Sequence, residues 1–453
     1  MTFLSKNYPE KIALTYQGAS ITYKALDNEI RKMAVILNEL PEGILALTAS
    51  YDKSFVIQLL AALHNKQPVA IFASNWSFDE RKTKSDLLGN VITIDSLGVV
   101  VSYTESKQAI KPHPQTALIL FTTGSTGHTK AVQLSMQNIL ANCHAVIKTL
   151  DFAAAQAQLL FLPLSYSFGL SGQLLPGLMT GLTTRLIENF TDIKALFETQ
   201  DVPQMWSGVP SHWFAIAKIA ANFPKAALKI SHVISAGASL NTPLKEQLLA
   251  TFPNAVVYNN YGLTEASPRV LSLSSRDPDF LHEFTGYPVG DWQLKLSAEK
   301  ELLIAGSQVM LGYLGEESSQ KINDGWLSTG DLADISPQGL VSIKGRCDHI
   351  VNIGGEKINL AEVELEIKKI EGLTEVAVIP VADALYGVRL IAFLEKTSEQ
   401  CSAKVRDQFS ARKIPGLVHV LSTLPRHKNG KLDRAALMPI ATTLINKDTA
   451  NAR

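Results

Sequence analysis

The fold of this chain is decided by the stretch Phe121-Thr122-Thr123-Gly124-Ser125-Thr126-Gly127-His128-Thr129-Lys130-Ala131-Val132. The apolar run 117–120 before it is short, which is typical of a buried strand. The glycines and hydroxyl residues that follow can surround an anion with backbone N–H and side-chain O–H donors, and Lys130 adds a positive charge. Apolar residues with helical spacing resume at Val132, so a helix start, whose dipole also favours an anion, is expected after the loop. The stretch predicts a phosphate-binding loop, without the Gly-Lys-Ser/Thr ending of the common nucleoside-triphosphatase loop.

The bulk composition limits the class of protein. With 453 residues the chain exceeds what one hydrophobic core normally supports, so at least two domains are expected. Its 42 basic residues balance its 42 acidic residues, which does not favour a nucleic-acid or anionic-membrane partner. The three cysteines, Cys143, Cys347 and Cys401, are far apart in the sequence. This pattern predicts reduced thiols of a cytosolic protein and does not indicate a disulfide framework or a zinc site. The sequence shows no signal peptide and no apolar run of ~20 residues, so a cytoplasmic protein without a membrane span is expected.

Short apolar runs alternate with helical patterns over the first ~340 residues, which predicts α/β layers. The last strand of this large domain is expected at residues 339–343. The other expected elements are strands at residues 69–72, 91–94, 159–162 and 233–234 and helices at residues 136–150 and 211–222.

Beyond residue 345 the pattern becomes that of a small α+β domain. Residues 350–358 predict a hairpin that turns through two glycines. The polar tail, residues 445–453, is expected to fray. The chain is therefore divided into an N-terminal domain (1–345), a hinge (346–349) and a C-terminal domain (350–453). The further elements expected in the small domain are helices at residues 361–370 and 402–412 and strands at residues 374–380 and 388–395.

Five segments, in the same order, resemble the motifs of the adenylate-forming superfamily, which comprises acyl-CoA synthetases, peptide-synthetase adenylation domains and luciferases. The first is the stretch quoted above, where Thr129 and Ala131 replace the usual Pro and Gly. The resemblance spans nearly the whole chain and implies a large α/β N-terminal domain of layered sheets and helices, a smaller α+β C-terminal lid domain, and an active site between them. The other segments are Asn259-Asn260-Tyr261-Gly262-Leu263-Thr264-Glu265, Trp326-Leu327-Ser328-Thr329-Gly330-Asp331, Gly345-Arg346-Cys347-Asp348 with the region through Glu364, and Leu424 to Arg434.

The resemblance also implies which residues bind ATP and Mg²⁺. The α-phosphate would be bound by Thr264, the Mg²⁺ ion by Glu265, and the ribose by Asp331 with help from Arg346. Tyr261 would stack on adenine, in a pocket completed by Asn259, Asn260 and the backbone of Gly237-Ala238-Ser239. The β- and γ-phosphates would be held by Thr123, Gly124, Ser125, Thr126, Gly127 and Lys130.

Three residues of the C-terminal region complete the implied machinery. Lys431 would bridge the substrate carboxylate and the α-phosphate. The lid would pivot near Asp348, and Gly355 would line the path of the thiol. The alternative for Lys431 is an ordinary solvated lysine, since Asn429-Gly430 is also a natural turn dipeptide. The alternative for Gly355 is that the glycine pair only forms a hairpin turn.

The acyl pocket is expected around residues 163–170, and Tyr166, Gly169 and Gly262 are its candidate residues. Tyr166 stands where acyl-CoA synthetases usually have His. Peptide-synthetase adenylation domains place Asp at the position of Gly169, where it pairs with the substrate's α-ammonium. Because an unpaired ammonium in a pocket is costly, an α-amino acid substrate is not expected. His212 and Trp213 could approach this pocket or belong to the core.

The expected activity is that of an AMP-forming acid–thiol ligase, with ATP and Mg²⁺ and with CoA as the acyl acceptor. The phosphopantetheine of an acyl-carrier protein is the alternative acceptor. Two other classes stay open, a luciferase-type oxidoreductase that oxidises the acyl-adenylate and a nucleotide-binding module without catalysis. One observation argues against a nucleotide-binding module without catalysis. None of the four charged residues Lys130, Glu265, Asp331 and Lys431 is needed for a structural role.

Overall fold

The structure, a computed structural model, forms two compact units. The first comprises residues 1–295, 303–329 and 335–342, and the second comprises residues 296–302, 330–334 and 343–453. Within the described ranges, no helix has the length and apolar character that crossing a bilayer requires. The residues that the structure describes are 3–104, 110–123, 129–315, 321–347, 350–353, 356–373, 375–383, 387–411, 414, 416–427 and 430–451.

Strands and helices alternate along the chain as far as residue 346. The strands are β1 (Ile12–Tyr16), β2 (Ala19–Thr22), β3 (Ile44–Thr48), β4 (Val69–Phe72), β5 (Val91–Ile94), β6 (Val100–Thr104), β7 (Thr116–Thr123), β8 (Thr129–Ser135), β9 (Ala157–Leu160), β10 (Thr183–Leu186), β11 (Met205–Gly208), β12 (His232–Ser235), β13 (Val256–Gly262), β14 (Arg269–Ser274), β15 (Tyr287–Pro288), β16 (Gln293–Leu296), β17 (Glu301–Ala305), β18 (Gly312–Tyr313), β19 (Ile322–Asn323), β20 (Trp326–Ile335) and β21 (Val341–Arg346). The helices are α1 (Tyr23–Leu37), α2 (Lys53–His64), α3 (Phe78–Leu88), α4 (Met136–Thr149), α5 (Ser167–Gly169), α6 (Leu175–Thr180), α7 (Asp192–Thr199), α8 (Pro210–Ala220), α9 (Pro224–Ala227) and α10 (Thr242–Thr251).

One sheet of the first unit brings several predicted site segments to a single edge. Its strands, among the described residues, lie in the order β15-β14-β13-β12-β11-β9-β10-β1-β2, and β9 to β13 are parallel. The segments that follow β9, β12 and β13 contain Tyr166, Gly237 and Thr264. Because the carboxyl ends of parallel strands form the usual ligand-binding edge of such sheets, this edge is the candidate site.

The second sheet of the first unit carries the predicted phosphate loop. Its described strands lie in the order β18-β8-β7-β4-β3-β5-β6. Strands β7 and β8 are antiparallel, with Thr122 opposite Lys130, so the predicted loop connects two paired strands. The expectation of a helix directly after the loop is wrong, because residues 129–135 form β8. Residues 131–135 are all buried, and burial on both faces removes the alternation by which a strand is recognised.

Helix α4 begins later than expected from the loop, at Met136. Its start is set by a capping box, in which Ser135 accepts a hydrogen bond from the Asn138 backbone and the Asn138 side chain accepts one from the Ser135 backbone. Reciprocal bonds of this kind satisfy two of the donors that a helix start leaves open. The predicted helix 136–150 is thus confirmed as a helix over 136–149.

The second unit is an α+β domain whose sheet is covered on both faces. Strands β24 and β25 are antiparallel, and β26 runs parallel to β25. Val376 and Val378 of β24 pack with α11 and α12, while Ala377 and Ile379 pack with α13, as the period of two in a strand requires. Its elements are β22 (Ile350–Ile353), β23 (Glu356–Asn359), α11 (Leu360–Lys368), β24 (Val376–Asp383), β25 (Gly387–Glu395), α12 (Glu399–Ala411), β26 (Gly416–Leu421) and α13 (Arg434–Asn451).

The expectation that the tail frays from residue 445 is wrong, because α13 continues to Asn451. Leu437, Ala441 and Ile445 recur every four residues on one face of this helix and are buried against β24 and β25. Side chains at this spacing lie on the same face of a helix, so a sparse apolar pattern is enough to hold it on a sheet. The residues after Ile445 are mostly polar, so the sequence did not indicate that the helix continues.

Most other expected elements are confirmed with shifted ends. The strands at 69–72 and 91–94 have the predicted bounds, and the hairpin over 350–358 is present as the antiparallel pair β22 and β23. The strand expected at 159–162 is found at 157–160, and the helix expected at 361–370 is found at 360–368. Strand β26 was not expected from the sequence.

Candidate active site

Two of the predicted phosphate-binding residues, Thr123 and Lys130, belong to the paired strands β7 and β8. Thr123 ends β7 opposite Thr129, and Lys130 stands at the base of the turn opposite Thr122. Gly124, Ser125, Thr126 and Gly127 lie outside the described residues, as do Asp348 and Gly355 in the hinge region. The structure therefore describes the surroundings of Lys130, the lysine of the predicted phosphate loop.

A tyrosine that the sequence did not indicate connects Lys130 with Glu265. The hydroxyl of Tyr313 donates a hydrogen bond of 2.7 Å to Oε1 of Glu265, and both side chains are buried. The Lys130 Nζ lies 4.5 Å from the centroid of the Tyr313 ring, on its face. Tyr313 is placed by strand pairing, because it lies opposite Val132 of β8. The arrangement fixes one carboxylate oxygen of Glu265 and places the Lys130 ammonium on the ring that holds it.

Thr264 and Glu265 belong to a 3₁₀ turn, Thr264–Ala266, that follows β13. The turn requires Gly262, because a Cβ at this position would overlap the carbonyl oxygen of Pro268. The hydroxyl of Thr264 lies 3.1 Å from the hydroxyl of Ser167 at the start of α5. The chain after β9 and the chain after β13 therefore meet at Thr264, through Ser167 of the predicted acyl segment 163–170.

The residues predicted to surround adenine lie on neighbouring strands. Asn259 is opposite Ser235 in the parallel pair β12–β13, and Gly237-Ala238-Ser239 follow Ser235 as an exposed segment. Gly237 has φ of +87°, a conformation that glycine adopts without strain. The Asn260 amide donates to the Ser235 carbonyl at 3.1 Å, and its Oδ1 is buried with no donor among the described residues. Strand pairing thus brings together the members of the predicted adenine pocket.

Two of the predicted acyl-pocket residues differ in their exposure to solvent. Tyr166 is exposed, whereas Gly169 is buried. A Cβ on Gly169 would lie 2.8 Å from the Pro163 carbonyl oxygen and 3.0 Å from that of Leu162. A carboxylate at this position would therefore press against backbone, so replacing Gly169 by Asp tests packing and not the charge of a pocket.

The side chains of His212 and Trp213 have different environments. Trp213 is fully buried, and its indole N–H donates to the Ile234 carbonyl at 3.2 Å, which places it in the core. His212 packs against Phe161 and Phe190, with ring centroids 5.3 and 5.2 Å away. Burial lowers the pKa of His212 to about 4, so the ring is neutral at pH 7. The alternative that Trp213 lines the pocket is not supported.

Arg269 is a buried arginine near the predicted acyl pocket that the sequence did not indicate. Arg269 opens β14 and is 2% exposed. Its backbone is bonded to Asn142 and Trp292, but the guanidinium Nε and Nη2 have no acceptor within the described residues. Burial lowers the pKa of Arg269 to about 10, which leaves it protonated at neutral pH.

In the second unit, Asp331 and Arg346 form the predicted ribose-binding pair. Arg346 Nη1 lies 3.3 Å from Asp331 Oδ1, and Asp331 is buried. Gly330 has φ of +77°, its N–H donates to Glu301 Oε1 at 2.8 Å, and a Cβ here would lie 2.8 Å from Arg346 Nη2. The missing side chain of Gly330 therefore lets the guanidinium lie over the backbone beside Asp331.

Lys431 projects from a short hairpin that is braced within the second unit. The His427 N–H donates to the Lys431 carbonyl at 2.8 Å, and the Asp433 N–H donates to the Pro425 carbonyl at the same distance. Arg426 donates to Glu375 Oε2 at 3.0 Å before the turn. Arg434 donates to both oxygens of Glu364 after it, at 2.7 and 2.6 Å. The residues that flank the exposed Lys431 are therefore held to the second unit by backbone hydrogen bonds and two ion pairs.

Comparison with known proteins gives matches along most of the chain. A family model described as AMP-binding enzyme matches residues 46–314, and one described as AMP-binding enzyme C-terminal domain matches residues 362–431. The 2-succinylbenzoate–CoA ligase of Staphylococcus epidermidis is 26% identical over 459 residues, which cover 94% of each chain. The D-alanine–D-alanyl carrier protein ligase of Lacticaseibacillus casei is also 26% identical, over 496 residues that cover 96% of this chain and 97% of the relative.

Solved structures show the same fold over nearly the whole length. ATP-bound MatB from Rhodopseudomonas palustris superposes with a TM-score of 0.84 at 21% identity and covers 97% of both chains. The o-succinylbenzoate coenzyme A synthetase of Bacillus subtilis, in complex with ATP and magnesium, superposes with a TM-score of 0.79 at 23% identity. That match covers 95% of this chain and 97% of the other. A large α/β N-terminal domain with a smaller α+β C-terminal domain is thereby confirmed.

Proposed function

The chain belongs to the AMP-binding enzyme family of the adenylate-forming superfamily, and from this premise we propose that it is an AMP-forming acid–thiol ligase. It activates a carboxylic acid with ATP and then transfers the acyl group to a thiol, that of CoA in the first place. The observation that carries the proposal is the contact of Tyr313 with Glu265 and Lys130, which joins a fixed carboxylate to the base of the phosphate loop. A purely structural role would require neither the carboxylate of Glu265 nor the ammonium of Lys130.

Glu265 is the residue proposed to hold Mg²⁺. The site fits this ion because Mg²⁺ commonly takes one or two carboxylates together with phosphate oxygens. Tyr313 occupies Oε1, while within the described residues Oε2 accepts no hydrogen bond. When bound, the ion neutralises charge on the phosphates of ATP. Tyr313 orients the carboxylate, and Lys130 adds a second positive charge for the phosphates.

The nucleotide is proposed to lie along the carboxyl edge of the parallel sheet. Thr264 binds the α-phosphate, and Tyr261 and Asn259 with the segment 237–239 surround the adenine. The buried Oδ1 of Asn260 fits a donor such as the exocyclic amine of adenine, since it has no partner within the described residues. Asp331, oriented by Arg346, accepts hydrogen bonds from the ribose hydroxyls.

The chemistry proceeds in two displacements. A carboxylate oxygen of the acid attacks the α-phosphorus, the bond to the bridging oxygen breaks, and pyrophosphate leaves. Lys431 is proposed to hold the two anions together, because a preorganised positive charge stabilises charge that develops in the transition state. The thiolate then attacks the acyl carbon, and AMP leaves with the bonding electrons. Rotation about residues 346–349, between domains 1–345 and 350–453, is proposed to separate the two steps, with Asp348 as pivot and Gly355 beside the thiol.

The acid is proposed not to be an α-amino acid, because no acidic residue has been placed in the predicted acyl segment, residues 163–170, to pair with an α-ammonium. Tyr166 is proposed to line the acyl pocket. The carrier-protein acceptor is the second candidate, favoured by relatives named as D-alanyl carrier protein ligases. We place the reaction in the cytoplasm, which supplies ATP and CoA and keeps isolated cysteines reduced.

The test is pyrophosphate release from MgATP over a panel of carboxylic acids, repeated with CoA, with a phosphopantetheinylated carrier protein, and with neither. The proposal expects acid-dependent pyrophosphate release and a thioester with CoA. A thioester with the carrier protein alone would favour the second acceptor. Release that does not depend on any acid would contradict the proposal, and preference for an α-amino acid would contradict the substrate class.

A further inference from the structure

The guanidinium of Arg269 is a buried charge with no protein acceptor among the described residues. Nε and Nη2 are both inaccessible and unbonded, and no carboxylate within the described residues lies at ion-pair distance from the group. Buried charges in proteins are normally paired, because taking an ion out of water without a partner is strongly unfavourable. A neutral side chain of similar length would fill the same volume without this cost.

An aromatic ring and a glycine lie next to the guanidinium. Phe168 covers one face of the guanidinium, with the ring centroid 5.0 Å from Cζ. Gly172 also lies beside the guanidinium, because a Cβ added to it would be 3.5 Å from Nη2. Gly172 belongs to a π-helical turn, Leu170–Leu174, a local widening that often occurs at functional sites.

Arg269 borders the predicted acyl pocket. It lies opposite Gly262 in the β13–β14 pair, and Gly262 leads into the turn that carries Thr264. Ser167 touches Thr264, and the next residue, Phe168, touches Arg269. One short segment therefore contacts both the residue assigned to the α-phosphate and the unpartnered guanidinium.

We propose that Arg269 binds a second carboxylate of the acid substrate, so that the enzyme adenylates a dicarboxylic acid. This inference rests on the proposed function and narrows its substrate class. A guanidinium can bind a carboxylate through two parallel N–H···O bonds, which supplies the acceptors that the protein lacks. The other carboxylate of the substrate is the one that reacts at the α-phosphate.

The experiment compares acids that differ only in one terminal group. The pairs are succinate and butyrate, glutarate and pentanoate, and adipate and hexanoate, each measured by pyrophosphate release from MgATP. A site built to bind a polar group rejects the analogue that lacks it by large factors, so we expect kcat/KM to favour one dicarboxylate over its partner by about 10²-fold or more. Arg269→Met should abolish this preference, and Arg269→Lys should retain part of it. Arg185→Met, which removes another arginine of the same sheet, is the matched control.

A second measurement separates this role from a packing role. Thermal unfolding without ATP should show that the preferred dicarboxylate stabilises the wild type and Arg185→Met but not Arg269→Met. If Arg269 only packs, Arg269→Met should lower the melting temperature and leave the substrate preference unchanged, which would overturn the inference. Equal use of both members of every pair by the wild type would also overturn it while leaving the ligase activity intact. Absence of pyrophosphate release with every acid would instead contradict the proposed function, and the unfolding measurement would still decide whether Arg269 binds dicarboxylates.

Discussion

The hydroxyl of Tyr313 lies 2.7 Å from Oε1 of Glu265, a residue 48 positions away along the chain. The bond ties β18, in the sheet of the phosphate loop, to the turn after β13 in the other sheet of the same unit. The same ring receives the ammonium of Lys130 on its face. Tyr313 is therefore a positioning residue for both charges of the proposed phosphate and Mg²⁺ site.

Tyr313→Phe should raise the Mg²⁺ concentration needed for half-maximal pyrophosphate release. The ring and its contact with Lys130 are kept, and only the hydrogen bond to Glu265 is lost. Outer partners of metal ligands typically contribute about 10–100-fold in metal affinity, so we expect a shift of at least about 10-fold and a larger one in Glu265→Gln. The exposed Tyr103→Phe is the control. An unchanged Mg²⁺ titration in Tyr313→Phe would remove the positioning role.

Lys431→Ala should abolish adenylation and spare thioester formation from supplied acyl-adenylate. Loss of one preorganised electrostatic contact typically costs about 10²–10³ in rate. The two half-reactions are measured separately, by pyrophosphate release and by thioester formation, with Lys447→Ala on the exposed side of α13 as the control. Equal loss in both half-reactions would show that the lysine does not act in adenylation alone.

Gly330→Ala should raise the KM for ATP by displacing Arg346 from Asp331. Two effects are expected, a backbone cost of about 1–2 kcal/mol from the positive φ and a steric contact with Nη2. Gly325 has φ of +79° and nothing within 4 Å of a Cβ, so Gly325→Ala carries the backbone cost alone. If both variants change the KM for ATP equally, Arg346 does not help to bind the nucleotide.

His212 should make the protein less stable in acid. Burial lowers its pKa from 6.5 to about 4, so between these values the unfolded chain binds more protons than the folded one. Stability due to this group is complete above about pH 6.5 and falls as the pH drops towards 4, by on the order of 2–3 kcal/mol. His212→Phe, which suits the contacts with Phe161 and Phe190, should flatten the pH dependence of the unfolding free energy between pH 4 and 6.5. Replacing the exposed His64 by Gln should not, and a slope that His212→Phe leaves unaltered would contradict this account.

Arg434→Met should destabilise the second unit without a direct effect on chemistry. The guanidinium is bonded to both oxygens of Glu364, which is buried and also accepts from the Val378 N–H. Leaving a buried acceptor without its partner costs about 1–3 kcal/mol, and more when it is charged. Denaturant unfolding should show this loss, and Arg434→Met combined with Glu364→Gln should recover part of it. Full stability in the single variant would mean that the ion pair contributes nothing.

The sequence predicted the residues that carry local motifs and failed where position depends on distant partners. Tyr313 reaches Glu265 because β18 pairs with β8, and no spacing between two residues so far apart signals that contact. Arg269 resembles an ordinary charged residue until its burial is known. Strand β8 was mistaken for a helix start because both of its faces are covered. The site assignments themselves stay predictions for the variants above to test.

The hairpin of Lys431 is fastened at both ends by ion pairs, Arg426 with Glu375 and Arg434 with Glu364, and these carboxylates belong to the segment before β24 and to α11. The described residues on both sides of this turn are therefore attached to the second unit. A fluorophore attached at the exposed His427 would therefore report the orientation of the C-terminal unit. Anisotropy or energy transfer from this position could test the proposed domain rotation during turnover, independently of product formation.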